Sequence, residues 1–524
     1  MDQEMMDGIR KLRELRERVK LGGGVEKIAR QHEQGKLTAR ERLDKLLDPG
    51  SFVEDNMLVN RYEPPRSGAP ADGIVSGHGT IDERVVCVYS QDATVLGGSM
   101  GPNHGYKMYR AIETAFKVGV PLIGLHESPG GRARKPETGE GGLGFISEKQ
   151  GGSVWYQNTR ASGVVPQIAA IMGPSAGVSA YSPALNDFIF MVDKTSYMFV
   201  TGPRIVKSVM SEDITMEELG GAGVHARVSG VTDFRVKSEE ECFARIRKLL
   251  SFLPQNWKQS PLIVNTGDDP KRLDDGIAEV VPANPRQAYD MHGVIQRLVD
   301  NSDFLEVKAE FAGEIIVGFG RLAGQTVGIV ANQPMVRAGA MTVNSSDKQA
   351  RFIRFCDCFN IPLIILVDTP AYLPGSAQEH AGIIRHGAKV LYALCEAVVP
   401  RIAIVIRKCY GGALAGMGVT PGNGTDFVFL WPTVEAGMMG AEQAVELFYG
   451  EEIKKAENPE QYREKLVREY REQYANPFYE VSRAPFFNDV IEPRETRRRL
   501  IQTLELLRHK NLLPVPKRHG NIPL

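Results

Sequence analysis

Short apolar runs alternate with amphipathic stretches along this chain. Residues 85–89 (Val-Val-Cys-Val-Tyr), 120–125 (Val-Pro-Leu-Ile-Gly-Leu) and 168–172 (Ile-Ala-Ala-Ile-Met) are continuous runs without polar alternation. Runs this short predict strands covered on both faces, as in a parallel sheet. Residues 104–118 and 154–161 between them read as helices. Near the start, Ile9, Leu12, Leu15 and Val19 recur at helical spacing amid Arg, Lys and Glu, an amphipathic helix with a solvated charged face. Gly22-Gly23-Gly24 ends it. A second polar helix runs to about residue 47, with Thr38-Ala39-Arg40-Glu41 as a capping box at its restart.

The second half repeats this order. Val327 stands 242 residues after Val85, Ile361 stands 241 after Val120, and Pro400 stands 234 after Pro166. A period this long with matching order is a duplicated domain. The drop from 241 to 234 places about seven extra residues in the first half between Glu127 and Pro166, in a polar, glycine-rich loop. Residues 258–276 are polar and contain Pro, Gly and Asp, an interdomain linker. The expected domains are 1–262 and 263–524. Strand, glycine turn, helix and strand in that order predict an α/β fold with ligands at the carboxyl ends of the strands.

One stretch concentrates the candidate chemistry. The strand-like run Ile402-Ala403-Ile404-Val405-Ile406 leads through Arg407-Lys408-Cys409 into Tyr410-Gly411-Gly412-Ala413. Paired glycines at a strand-to-helix junction let the backbone turn sharply and point N–H groups outward at the positive end of a helix. Such a turn holds a phosphate or a developing oxyanion. A tight turn without a ligand explains one copy equally well, but the first half carries a second at Gly177-Val178. Two backbone anion sites suit transfer between two enolate-like species.

Composition narrows the class. The chain has 524 residues, enough for two or more domains, with 42% hydrophobic and 24% charged residues. A net charge of −1 gives no basic footprint for nucleic acid or an anionic membrane. No apolar run approaches the ~20 residues that span a bilayer, and the acidic N-terminus lacks a signal-peptide core. The six cysteines read as reduced core thiols of a cytoplasmic protein, since Cys356-Asp357-Cys358 has no zinc spacing. His380 and His386 lie six apart without a ligand pattern, so no metal is expected.

Two further motifs compete. Gly173-Pro174-Ser175-Ala176-Gly177 satisfies the nucleophile elbow of serine hydrolases, although Pro183 shortens the following helix and the repeat has Cys409 in place of Ser175. Glu127-Ser128-Pro129-Gly130-Gly131-Arg132-Ala133-Arg134-Lys135 follows a strand and is either a binding loop for a phosphate-bearing ligand such as coenzyme A or an exposed basic loop. No phosphate-binding P-loop or dinucleotide fingerprint is present.

From about residue 39 to residue 521 the chain resembles the carboxyltransferase subunits of biotin-dependent acyl-CoA carboxylases, including the transcarboxylase large subunit. The resemblance rests on Ser90-Gln91-Asp92, Gly97-Gly98-Ser99, Tyr181-Ser182-Pro183-Ala184-Leu185, Thr201-Gly202-Pro203 and Glu218-Leu219-Gly220-Gly221 in the first half. In the second it rests on Ser346-Asp347-Lys348, Leu373-Pro374-Gly375, Gly382-Ile383-Ile384-Arg385-His386-Gly387-Ala388-Lys389 and Tyr410-Gly411-Gly412-Ala413. It implies two crotonase-like ββα-spiral domains in a homo-hexamer, with active sites between the N-domain of one subunit and the C-domain of another.

The resemblance also implies the chemistry. A carboxyl group moves between carboxybiotin and a short acyl-CoA through a thioester enolate, with biotin itself as the base. Gly177 and Val178 would hold the thioester oxygen, and Gly412 and Ala413 the biotin ureido oxygen. Substrate contacts are expected from Gly130, Gly131, Arg132, Ser175, Ala176 and Tyr181 in the first half. In the second they are expected from Ala371, Tyr372, Gly411 and Ala415. The chain has no biotinylation site of the Ala-Met-Lys-Met type, which implies a separate biotin carboxyl carrier protein with a biotin carboxylase or membrane decarboxylase subunit. The alternative is the α-subunit of a methylmalonyl-CoA or glutaconyl-CoA decarboxylase. Departures from the family pattern gather in the first half: Glu127 for Asp, Pro129 and Gly131 in the loop, Ser175 for Cys and Val178 for Gly. In the second half Ala371 replaces Gly, and Ala415 stands where propionyl-CoA carboxylases often carry Asp. These leave the acyl group open.

Overall fold

The apolar runs form strands, and the strands assemble into two sheets of one design. The computed structural model describes residues 2–60, 68–132, 153–485 and 487–524. By contact the chain divides into two compact units, Met1–Gln259 and Ser260–Leu524. Unit 1 contains β1 (Val53–Asp55), β2 (Ile74–Ile81), β3 (Arg84–Gln91), β4 (Leu122–Ser128), β5 (Gln167–Ala176), β6 (Phe188–Val192), β7 (Tyr197–Phe199) and β8 (Phe234–Val236). The sheet order is β1-β2-β3-β4-β5-β6-β8, and β7 pairs with the end of β5. Unit 2 contains β9 (Leu305–Val307), β10 (Ile315–Leu322), β11 (Gln325–Asn332), β12 (Leu363–Thr369), β13 (Arg401–Tyr410), β14 (Phe427–Leu430), β15 (Glu435–Gly437) and β16 (Asp489–Val490). Its order is β9-β10-β11-β12-β13-β14-β16, with β15 on the end of β13.

The pairing follows from the residues. β3 to β6 and β11 to β14 are parallel neighbours and almost wholly buried, as their unbroken apolar runs require. The hairpins β2–β3 and β10–β11 are antiparallel. Each closes on two residues with positive φ, Asp82 and Glu83 (48° and 66°) or Ala323 and Gly324 (51° and 78°). That two-residue turn fixes the register. It pairs Ile81 with Arg84 and Leu322 with Gln325, so the repeat offset here is 241 and not the 242 expected from aligning Val85 with Val327. A one-residue slip would reverse every side chain between faces. From Leu122↔Gln167 and Leu363↔Arg401 the offset falls to 234 beyond β4 and β12. The seven extra residues therefore lie between Ser128 and Gln167. The expected loop, residues 136–152, falls outside the described residues.

The N-terminal helices are Gln3–Lys20, Val25–Glu33 and Ala39–Leu46, the last started by the Thr38/Glu41 capping box. All six cysteines are free, but only Cys87, Cys242, Cys356 and Cys409 are buried, while Cys358 and Cys395 are exposed. Two residues apart on a helix point to different faces, so Cys356 enters the core and Cys358 leaves it.

A buried lysine recurs at the same offset. Lys107, in the helix Pro102–Val118, donates to the carbonyls of Ile74 (2.6 Å) and Ala71 (3.3 Å). Lys348, in the helix Val343–Cys358, donates to those of Phe311 and Ile315, both at 2.8 Å. Each ties its helix to the start of a hairpin. Burial pushes both ammonium groups down to about 8. A lysine depressed in the folded state binds more protons when unfolded, so its contribution grows as pH rises from about 8 to about 10.4. Replacing Lys348 with Met leaves those carbonyls without a donor and costs about 2 kcal/mol. In thermal melts the gap between wild type and Lys348→Met should widen from pH 8 to pH 10.

Candidate active site

At the carboxyl end of β5 the chain turns at Gly177 (φ 58°) into the short helix Val178–Ala184. At the end of β13 it turns at Gly411 (φ 53°) into Gly411–Gly416. Both glycines occupy left-handed backbone that a side chain disfavours. A Cβ on Gly411 would stand 3.1 Å from the Met438 carbonyl, and one on Gly177 3.8 Å from that of Val200. Since Ala176 pairs with Phe199 as Tyr410 pairs with Gly437, Gly177 is the counterpart of Gly411, Val178 of Gly412 and Ser179 of Ala413. The expected donor pairs, Gly177 with Val178 and Gly412 with Ala413, are thus one residue out of step. The Gly177 N–H is already spent on the Phe199 carbonyl at 3.2 Å. That corrects its expected role as a donor to substrate. Val178 and Ser179 follow in the first helical turn, where N–H groups have no intrahelical acceptor.

Ser175 is fully buried in β5 and donates its hydroxyl to the Ser179 carbonyl at 3.1 Å. Ser179 accepts from the Ala176 N–H at 3.0 Å and reaches the Ser128 carbonyl at 2.9 Å. The two serines fasten the turn from inside. Ser175 presents no attacking oxygen, which corrects the hydrolase reading and its expected contact with substrate. Ser179 was not singled out in the sequence, because the donor pair Gly412-Ala413 was matched to Gly177-Val178, one residue early.

The opposite wall comes from the residues after β4 and β12. Met100 pairs with Gly131, with its N–H on the Gly130 carbonyl at 2.9 Å. Met341 pairs with Tyr372, with its N–H on the Ala371 carbonyl at 3.1 Å. Gly130 therefore matches Ala371 and Gly131 matches Tyr372. Gly130 needs to be glycine: its φ is 107°, and a Cβ would meet the Ala176 carbonyl at 2.8 Å. The Tyr372 ring lies on a bed of glycines. Its hydroxyl would stand 2.4 Å from a Cβ on Gly416, and its ring 3.8 Å from one on Gly412 and 3.4 Å from one on Gly387. Burial pushes its phenol up to about 12, so it stays protonated at neutral pH. Tyr181 is half-exposed and meets Trp155 edge-on at 5.9 Å. Its counterpart is Ala415.

Arg132, expected to contact substrate, is engaged within unit 1 instead of standing free in an exposed basic loop. Its guanidinium is largely buried, 2.7 Å from Asp72 and 2.9 Å from the Ser99 carbonyl. Arg134 and Lys135 lie outside the described residues. Each half instead holds a buried carboxylate just before this wall. Asp368 sits 3.1 Å from Arg407 of the adjacent strand. Its counterpart Glu127 faces Gly173, where a Cβ would lie 2.5 Å from the Glu127 side chain. With no arginine there, the cations come from the N-terminal segment, one from the helix Ala39–Leu46 and one from the connection before it. Lys36 and Arg42 approach Glu127 at 2.6 and 2.7 Å, Gln31 donates at 2.9 Å, and Arg42 also meets Glu239 at 2.7 Å. Burial alone would raise the Glu127 carboxyl, but Arg42 and Lys36 outweigh it and hold it below the usual range.

Two matched turns on two copies of one α/β sheet define a duplicated crotonase-like protein. The chain matches the carboxyl transferase domain model over residues 30–522 and belongs to that family, the carboxyltransferase subunits of biotin-dependent acyl-CoA carboxylases. It is 48% identical to the propionyl-CoA carboxylase carboxyltransferase subunit of Haloferax mediterranei, over 99% of this chain and 100% of that one. It is 45% identical to the methylmalonyl-CoA decarboxylase subunit alpha of Veillonella parvula, over 99% of each. Transcarboxylase 12S, solved as a hexamer with methylmalonyl-coenzyme A and methylmalonic acid bound, superposes with a TM-score of 0.92 at 42% identity over 98% of each chain. Among the described residues no cluster of His, Cys, Asp or Glu is placed to hold a metal, and no helix is long and apolar enough to cross a membrane.

Removing Arg42 would take the guanidinium from buried Glu239 and leave Glu127 with Lys36 and Gln31 alone. Arg42→Met should destabilise unit 1 by about 3–5 kcal/mol. Denaturant unfolding followed by Trp155 and Trp257 fluorescence measures that loss.

Proposed function

We propose that this chain moves a carboxyl group between carboxybiotin, held on a separate carrier protein, and a short acyl-CoA by way of the thioester enolate. The observation that carries the proposal is the pair of matched turns, each a positive-φ glycine at a strand end that leads into the first turn of a helix, where N–H groups have no intrahelical acceptor. Unit 1 takes the acyl-CoA. The N–H of Val178, with Ser179 beside it, faces the thioester oxygen and stabilises the charge that develops there. One such donor is worth about 3 kcal/mol in the transition state.

Unit 2 takes biotin. Gly411 and Gly412 are exposed, and the nearest atom to a Cβ on Gly412 is the Tyr372 ring at 3.8 Å, so a flat ureido edge has room to approach. The N–H groups of Gly412 and Ala413 would hold that oxygen, with the Tyr372 ring and Ala415 beside it. When bound, biotin supplies the carboxyl group and accepts it in the reverse direction. Neither turn needs a side-chain nucleophile. Working partners are a biotin carboxyl carrier protein and a biotin carboxylase, in a homo-hexameric cytoplasmic core like that of transcarboxylase 12S. The relatives also favour a second reading, the α-subunit of a methylmalonyl-CoA decarboxylase, in which the same turns run transfer toward biotin.

A free-biotin transfer assay across acyl-CoAs and dicarboxyl-CoAs tests the function. Transfer with at least one short acyl-CoA is expected, and none with any of them removes the proposal. Gly412→Pro deletes one N–H in a first helical turn, where proline is tolerated. It should lower kcat by about 10²–10³. An unchanged kcat would take Gly412 out of the oxyanion site.

A further inference from the structure

The two turns share a backbone but distribute their bulk in opposite ways. In unit 2 the wall carries Tyr372 while the helix below carries Gly412, Ala415 and Gly416, and the ring rests on those glycines. In unit 1 the matching wall residue is Gly131, and the matching helix residues are Val178, Tyr181 and Ser182. Every bulky position in one half is small in the other. A tyrosine at 131 with the unit 2 geometry would collide with Ser182 and press on Val178, since a Cβ at their counterparts stands 2.4 Å from the Tyr372 hydroxyl and 3.8 Å from its ring.

Gly131 is the informative position. Its neighbour Gly130 is required by its φ of 107°, but Gly131 is not among the residues with positive φ. The backbone does not demand glycine there. It places no side chain where the other repeat stands a whole ring, beside an anion turn of the same shape. Val178, the counterpart of the Gly412 on which the Tyr372 ring rests, is partly buried and packs against the core cluster that includes Met100, Met108 and Ile112.

Building on the proposed carboxyl transfer, we infer that Gly131 and Val178 together set the length of acyl group that unit 1 accepts. The acyl chain occupies the volume that Tyr372 fills in unit 2, with Gly131 as one side and the isopropyl group of Val178 as the floor. The floor restricts the site to a short chain. Specificity at this end is thus a matter of volume, where one methylene is worth roughly 10- to 200-fold in discrimination.

The test compares kcat/KM for acetyl-, propionyl- and butyryl-CoA, with free biotin as co-substrate, in wild type, Val178→Gly, Val178→Ala and Gly131→Val. Val178→Gly should raise the butyryl-to-propionyl ratio at least tenfold, with Val178→Ala in between. Gly131→Val should lower kcat/KM most for the longest chain. Val178→Ala keeps a helix-favouring residue and gives the reading if the glycine variant fails to fold. Ratios within twofold of wild type in the folded Val178 variant would overturn the inference while leaving the function standing. A wild type inactive on every acyl-CoA would remove the function and this inference with it.

Discussion

The site depends on one backbone constraint: a strand that must end in a left-handed glycine and enter a helix at once. Gly177 and Gly411 meet it at φ values of 58° and 53°. There β5 and β13 keep pairing with β7 and β15 to their last residues and still turn at once into a helix. A side chain would be strained in this backbone. The short strands β7 and β15 hold each elbow from one side, and the walls after β4 and β12 close on it from the other.

Rigidity beneath the elbows comes from buried polar groups rather than apolar packing alone. Ser175 and Ser179 cross-link the first elbow to Ser128. Asp368 receives the Lys408 N–H and the Arg407 guanidinium beneath the second. Low-dielectric networks of this kind are costly when partly satisfied and specify a single geometry when complete. Glu127 is completed by a different route, through cations from residues 36 and 42. The N-terminal segment is therefore part of unit 1 rather than an appendage to it. Duplication kept the carboxylate and changed the source of its counter-charge.

Much of this was legible in the sequence because it is local. The apolar runs announced buried parallel strands, Thr38 and Glu41 announced a capping box, and the glycines after the two long strands announced sharp turns into helices. What escaped is what depends on distant partners. Arg132 read as a phosphate ligand because Asp72, sixty residues away, gives no local signal of pairing with it. Ser175 satisfied a nucleophile pattern, yet the strand turns its hydroxyl inward. The hairpin offset was misjudged by one residue because Val85 and Val327 are both apolar, whereas the two-residue turns decide the register. The inverted bulk of Gly131 with Val178 and Tyr372 with Gly412 emerged only once β-bridges fixed which residues correspond.

The central claim is that these turns are a matched pair of oxyanion sites with separate occupants. A crystal structure of the full chain with an unreactive acyl-CoA thioester tests it most directly. The thioester oxygen should lie within hydrogen-bonding distance of the Val178 N–H, with the acyl chain against Gly131. A thioester oxygen on the Gly412 turn, or on neither turn, would contradict it.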